Sequence, residues 1–160
     1  MYQLYLKNLK SQKNMCIKLY TDWSCLGNPW PGGYAALLMY WDHEKKIKWG
    51  EKQTTNNRME LLAMIKWLEA IKKTNIRVEV YTDSEYIYNW IYHYLPKWES
   101  KNWKTSSWND VKNKDLWIQL KNQKERFKDI WFLKVEAHSD DALNNLVDIM
   151  ARQEAKKFKN

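Results

Sequence analysis

The tripeptide Tyr-Thr-Asp occurs twice, at residues 20–22 and 81–83, and each copy closes a short run of β-branched and aromatic residues. Such runs predict strands. A carboxylate at the carboxyl end of a strand points into the crevice where open α/β sheets bind ligands. Aspartate is also common after strands merely because it suits turns, but a shared context for Asp22 and Asp83 argues for paired, central strands. Two further carboxylates stand in distinctive settings, Glu60 in Thr-Thr-Asn-Asn-Arg-Met-Glu-Leu and Asp148 in Asn-Asn-Leu-Val-Asp. Carboxylates gathered at close range repel and raise one another's pKa. Divalent magnesium resolves that conflict, because it takes oxygen ligands and pairs with few carboxylates plus phosphate and water. The outline is that of a metal-dependent site acting on phosphodiesters.

The rest of the chain supplies a frame for these residues. Residues 16–22 read as a strand ending on Asp22, followed by a turn rich in Gly27, Asn28, Pro29, Pro31 and Gly32. Residues 33–41 and 45–54 read as two more strands, with Asp42-His43-Glu44 as the hairpin connection. From Asn57 the period changes, and Leu61, Leu62, Met64, Ile65, Leu68 and Ile71 mark one apolar face of a helix. Glu60 lies on a stripe with Met64, Trp67 and Ile71 beside that face, although Asn57-x-x-Glu60 is also close to a capping box. A fourth strand is expected over 76–82, helices over 84–94 and 113–127 around a Trp/Lys-rich segment, a fifth strand over 130–136 and a closing helix over 141–157. That order predicts an α/β fold, a five-stranded mixed sheet with helices packed on both faces. Asp148 shares its helix with Asn144 and Arg152, a set that also suits a solvated face.

A chain of 160 residues, 44% hydrophobic and 29% charged, is the size and composition of one globular domain. No apolar run approaches the ~20 residues needed to cross a bilayer, and residues 1–14 lack the apolar stretch of a secretory signal. Cys16 and Cys25 fall outside any Cys-x-x-Cys pattern and are expected to be reduced thiols in a cytoplasmic protein. Residues 1–14 read as an N-terminal extension, 15–157 as the domain and 158–160 as a tail, with Met15 an alternative start. The net charge of +8, with pI near 9.3, attracts polyanions. Residues 97–114 carry Lys97, Lys101, Lys104, Lys112 and Lys114 against Glu99 and Asp110, interleaved with Trp98, Trp103 and Trp108. Aromatic faces among cations suit nucleic acid.

Several motifs together resemble the bacterial-type (type 1) ribonuclease H family, from about Ile17 to Ala155. They are Tyr-Thr-Asp-x-Ser-Cys-x-Gly-Asn-Pro at 20–29, Pro-Gly-Gly-Tyr at 31–34, Thr-Thr-Asn-Asn-Arg-Met-Glu-Leu at 54–61 and Tyr-Thr-Asp-Ser at 81–84. Asn-Trp-Lys-Thr at 102–105, Val-Lys-Asn-x-Asp-Leu-Trp at 111–117, and His138 ten residues before Asp148 complete the set. The resemblance implies a ribonuclease H-like fold and a monomeric endoribonuclease that hydrolyses the RNA strand of RNA–DNA hybrids. It implies that Asp22, Glu60, Asp83 and Asp148 hold two Mg2+ ions, with Mn2+ as a substitute, and that the products are a 5′-phosphate and a 3′-hydroxyl. His138 would shuttle protons and assist product release. Cys25, Asn28 and Asn56 match positions that contact the RNA strand, and Thr55, Trp103, Lys104 and Thr105 match positions that hold the DNA strand.

This chain also departs from the family pattern. Glu136-Ala137-His138-Ser139-Asp140 replaces a typical Lys-Gly-His-Ala-Gly, and Glu85 replaces a common Gln. Two rivals to the hybrid-cleaving reading follow: a catalytically impaired hybrid-binding module of the same fold, and a related nuclease such as a junction resolvase, against which the Trp/Lys segment argues. Eleven Trp accompany only four Gly, where average usage of about 7% would give roughly eleven Gly. Trp23, Trp30, Trp49 and Trp90 stand where the family typically has Gly. A host that reads UGA as glycine would account for them; a lineage enriched in Trp is the alternative.

Overall fold

The computed structural model describes residues 16–26, 30–136 and 142–158, the side chains of residues 30 and 53 excepted. Five strands, β1 (Cys16–Cys25), β2 (Trp30–Tyr40), β3 (His43–Thr54), β4 (Arg77–Thr82) and β5 (Ile130–Lys134), form one sheet in the order β3-β2-β1-β4-β5. β1, β2 and β3 form an antiparallel meander, while β4 joins β1 in parallel and β5 joins β4 in parallel. The helices are α1 (Asn56–Ala70), α2 (Glu85–Asn89), α3 (Leu95–Ser100), α4 (Lys114–Glu125) and α5 (Ala142–Lys156), with a π-helical turn over Trp90–Tyr94 joining α2 to α3. This is the expected mixed sheet, with helices on both faces.

Alternation along the central strands separates two cores. Leu19, Tyr34 and Ala36 face α1 and the helices beyond it, with Leu61, Met64, Ile65, Leu68, Trp117 and Phe132. Tyr20, Ala35 and Leu37 face the other way, onto Val147, Met150 and Ala151 of α5. Glycine is required at position 33 of β2, because a Cβ there would lie 2.4 Å from both the Ala151 carbonyl oxygen and the Ala155 amide nitrogen. Its absence lets α5 press onto the sheet, and that contact fixes the height of Asp148 one turn earlier.

Four sequence expectations change. β1 does not end on Asp22 but runs on to Cys25, because residues 22–25 stay paired with β2. The β2–β3 connection is the tighter pair Trp41-Asp42, since Tyr40 and His43 already face each other in register. The helical stretch expected over 84–94 runs on to Ser100, because Ile87, Ile91, Leu95 and Trp98 continue one buried stripe at helical spacing. Pro96 is tolerated there because it sits in the first turn of the restarted helix. The capping box at Asn57 does not form: Thr55 is the N-cap of α1, its carbonyl accepts from Met59 N–H at 2.9 Å, and Asn57 and Glu60 both lie inside the helix.

Candidate active site

The two Tyr-Thr-Asp copies lie side by side. β1 and β4 pair in parallel with Tyr20 opposite Tyr81, the two rings stack at 4.6 Å and 7°, and Thr21 Oγ1 donates to the Tyr81 carbonyl at 3.2 Å. The same register sets Asp22, inside β1 where its parallel pairing with β4 has ended, beside Asp83, the residue directly after β4. Glu60 reaches this end from the second turn of α1, and Asp148 from α5 on the opposite face of the sheet. All four carboxylates line one open pocket of about 420 Å3, with Trp23, Ser24, Cys25, Asn56, Ser84, Glu85, Tyr86 and Arg152.

The pocket places negative charge where water is scarce. Asp22 is 9% exposed and Glu60 7%. Burial, then the Asp83 charge and that of Asp148, pushes the Asp22 pKa up to about 7, against the opposing pull of a 2.6 Å hydrogen bond from Trp23 N–H and of the Arg152 charge. Burial likewise pushes Glu60 up to about 7, with Asp83 adding to it and a 2.5 Å hydrogen bond donated by Ser84 Oγ opposing it. Ser84 is itself the N-cap of α2, where its Oγ accepts from Ile87 N–H at 3.1 Å. Asp148 is gripped by Arg152, one helical turn on, through Nε at 2.8 Å and Nη2 at 2.7 Å. Two carboxylates this reluctant to ionise gain most from a cation, and the donors here are hard oxygens of the kind magnesium takes. Among the described residues no three His, Cys, Asp or Glu side chains converge into a ready-made cage. Carboxylates around an open pocket fit an ion that keeps several waters and takes phosphate oxygens as ligands.

Comparison with known proteins agrees with this geometry. The family profile described as RNase H matches residues 14–156. The chain belongs to the ribonuclease H family. A ribonuclease H of Acetivibrio thermocellus is 43% identical over 142 residues, covering 88% of this chain and 95% of that protein. Among solved structures, LC9-RNase H1, described as a type 1 RNase H with the type 2 active-site motif, is 29% identical with a TM-score of 0.79, over 90% of this chain and 74% of that one. LC11-RNase H1, solved in complex with an RNA/DNA hybrid, shares the fold at 22% identity and a TM-score of 0.68, over 90% of this chain and 99% of that one.

The remaining residues singled out in this ribonuclease H family member fall into three places. Cys25 and Asn56 line the carboxylate pocket, and the Asn56 amide oxygen has no hydrogen-bond partner among the described residues. Thr55 stands at the N-cap position of the helix that begins with Asn56, without a side-chain capping hydrogen bond. Lys104 and Thr105 line a second pocket, also about 420 Å3, with Ser100, Lys101, Asn102, Ser106 and Trp108. Trp103 is half-buried and packs against the main core. Asn28 and His138 lie outside the described residues, as does the segment 1–14.

The interleaving of cations and aromatic rings over 97–114 is only partly realised. Trp98 is a core residue, 7% exposed, packed against Trp90 and Trp117. Lys104 and Lys114 both pair with Asp110, at 3.0 and 3.4 Å, so part of the positive charge is spent within the segment. Glu85 is ion-paired with Lys134, and that contact holds its carboxyl below the usual range. Ser84 and Arg152 have roles in the site, as partners of Glu60 and Asp148, that the sequence did not assign them. Their signals were a Ser directly after Asp83, in N-cap position, and an Arg four residues after Asp148.

Proposed function

We propose that this chain hydrolyses the RNA strand of RNA–DNA hybrids with Mg2+, leaving a 5′-phosphate and a 3′-hydroxyl. The observation that carries the reading is the grouping of Asp22 and Glu60, both buried and both raised to about 7, with Asp83 and Asp148 in one pocket where the parallel pairing of β1 and β4 ends. Asp22, Glu60, Asp83 and Asp148 would hold two Mg2+ ions, and Mn2+ would serve in their place. When bound, the ions would lower the pKa of the attacking water and offset charge on the leaving oxygen. The chain's own part is positional. Ser84 keeps the Glu60 carboxylate turned into the pocket, the Trp23 amide fixes Asp22, and Arg152 holds Asp148 until an ion competes for it. Asn56, with Cys25 and Asn28, would meet the RNA strand, where contacts to the 2′-hydroxyl tell RNA from DNA. Thr55, Trp103, Lys104 and Thr105 would hold the DNA strand, and His138 would shuttle protons and assist product release. We place the enzyme in the cytoplasm as a monomer. Among the described residues no helix is long and apolar enough to cross a membrane.

One observation favours the second reading, a hybrid-binding module with impaired cleavage: Trp23 puts an indole against the pocket, next to Asp22. A single experiment separates the two. Purified protein is incubated with labelled hybrid, RNA duplex and DNA duplex, in Mg2+ and in chelator. Cleavage of the RNA strand of the hybrid alone, dependent on Mg2+, is the expected result. Hybrid retention in a gel shift without cleavage would establish the binding module instead.

A further inference from the structure

Five non-glycine residues among those described adopt left-handed backbone conformations, with φ between 55° and 62°: Trp41, Asn102, Trp103, Trp108 and Asn113. Asparagine visits this region readily, whereas for a bulky side chain it is an outlier. Three of the five are tryptophan. Trp103 has a packing reason, since its indole lies against the core. Its backbone is also held on both sides, with its N–H donating to the Trp98 carbonyl at 2.7 Å and its carbonyl accepting from Val111 N–H at 3.1 Å. Trp41 and Trp108 have no such return, because they are 62% and 81% exposed.

Both stand at the one position of their turn that calls for glycine. Trp41 is the first residue of a two-residue hairpin loop between the paired Tyr40 and His43, and a positive φ at that residue alone is the pattern that takes Gly there. Trp108 closes a turn in which its N–H donates to the Thr105 carbonyl at 3.0 Å, while Thr105 N–H donates to Asn109 at 2.9 Å, between the bridged Lys104 and Asp110. A turn followed by one left-handed residue before the strands rejoin is the glycine-type bulge of three-residue hairpins. Two turns of different construction thus make the same demand and meet the same wrong side chain.

A third sign lies in the helix after Asp83. It widens to a π turn beginning at Trp90, whose ring is wedged among Tyr86, Tyr94, Trp98 and Trp117. π turns are rare and mark an irregularity in the ladder. The scarcity of glycine, four residues against eleven tryptophans, points to one common cause rather than separate accidents.

We propose that the native polypeptide carries glycine at positions 41 and 108. The gene would have TGA codons there, which the native translation machinery reads as glycine and which the written sequence renders as tryptophan. The inference stands on backbone geometry and is independent of the activity proposed above. It reaches the active site through Trp23: a TGA codon at 23 would leave a glycine beside Asp22, and substrate backbone could approach the carboxylates closely.

Peptide mapping by mass spectrometry of the protein isolated from its native cells, with the codons read from the gene, decides the matter. Glycine at 41 and 108, encoded by TGA, is the expected result. Tryptophan at either position, or a TGG codon, overturns the proposal. A second measurement tests its structural ground in recombinant protein. Trp41→Gly and Trp108→Gly should each raise Tm by about 2–4 °C, the shift that a gain of about 1 kcal/mol produces in a domain of this size. Trp103→Gly and Trp117→Gly, which empty packed space, should lower it. A fall in Tm for Trp41→Gly and Trp108→Gly comparable to that of Trp117→Gly would refute the conformational argument.

Discussion

The carboxylate pocket and the 101–113 segment are both charged and both implicated in nucleic acid, yet they are built on opposite terms. In the pocket, rigid elements hold like charges together: two parallel strands in register, a helix on each face of the sheet, and two carboxylates forced up to about 7. Among the described residues no cation forms an ion pair with Asp22 or Glu60, and the Arg152 charge only partly offsets the repulsion at Asp22, so the pocket stores a conflict that an external cation relieves. In the segment, charge is partly satisfied internally, Lys104 sharing Asp110 with Lys114 at the start of α4, and the irregularity is in the backbone, where Asn102, Trp103, Trp108 and Asn113 all have positive φ. Function is written most plainly where a sequence breaks a stability rule and the fold enforces the breach. Where opposite charges satisfy one another, a functional and a structural role look alike.

The sharpest way to break this contrast is to remove one charge from the pocket. Asp83→Asn keeps the shape and should cut hybrid cleavage below about one-hundredth of wild type, a loss of ~2.7 kcal/mol in transition-state stabilisation, while hybrid binding by gel shift persists. Activity within about threefold of wild type would show that the cluster is not the catalytic centre.

The stored conflict also predicts a pH dependence of stability. Asp22 and Glu60 titrate near 7 in the folded chain and near 4 when unfolded. Between those values the native state binds more protons than the unfolded state, so the contribution of these two groups to stability falls as pH rises from about 4 to about 7. Above about 7 the penalty is complete and no longer changes. In chelator, the part of the Tm difference between pH 5 and pH 8 due to Asp22 should vanish in Asp22→Asn. That variant should be more stable than wild type at pH 8, by about 2–4 °C for each kcal/mol recovered. Added Mg2+ should stabilise the wild type more than the variant. An unchanged pH 5 to pH 8 difference in Asp22→Asn would mean that its carboxyl is solvated.

Ser84 tests how far the pocket depends on support from its surroundings. Ser84→Ala removes both the donor to Glu60 and the cap of α2. Loss of the cap alone should cost about 0.5–2 kcal/mol of stability. Because Glu60 then loses the bond that favours its charged form, half-saturation with Mg2+ should rise, and Ser84→Thr, which keeps the hydroxyl, should restore it. A stability loss with no change in Mg2+ requirement would reduce Ser84 to a helix cap.

Much of this molecule is legible in the chain, for identifiable reasons. The repeated Tyr-Thr-Asp foretells two adjacent strands because register preserves sequence context: Tyr20 meets Tyr81 and the aspartates follow, although β1 continues to Cys25 through its pairing with β2. The five strands and the main helices are readable because period-two and helical patterns alternate cleanly. Glu60 is ambiguous in sequence because Thr54, Thr55, Asn56 and Asn57 are all good caps, and only tertiary structure selects Thr55. Trp98 resembles part of a nucleic-acid surface because its burial depends on a stripe begun eleven residues earlier at Ile87. The Ser84–Glu60 hydrogen bond spans 24 residues, beyond any local pattern. Backbone sign is invisible altogether: nothing adjacent to Trp41 or Trp108 announces a positive φ.

The smallest expected effect concerns the segment, and it asks whether the difference from the pocket is one of kind or of degree. Lys101 and Lys104 line the second pocket together with Thr105 and Trp108. If they meet phosphates, Lys101→Ala with Lys104→Ala should raise KM more than it lowers kcat, because ground-state and transition-state binding weaken alike. The salt dependence of hybrid binding should flatten by roughly one unit of slope for each phosphate that no longer meets a lysine. Lys104 must first release Asp110, which lies 3.0 Å away, so its share should be the smaller of the two. Asp110→Asn should then tighten binding slightly by freeing Lys104 and Lys114, the opposite sign to the lysine double variant. If both variants leave the slope unchanged, the cations serve the segment's own fold, and the DNA strand is held elsewhere.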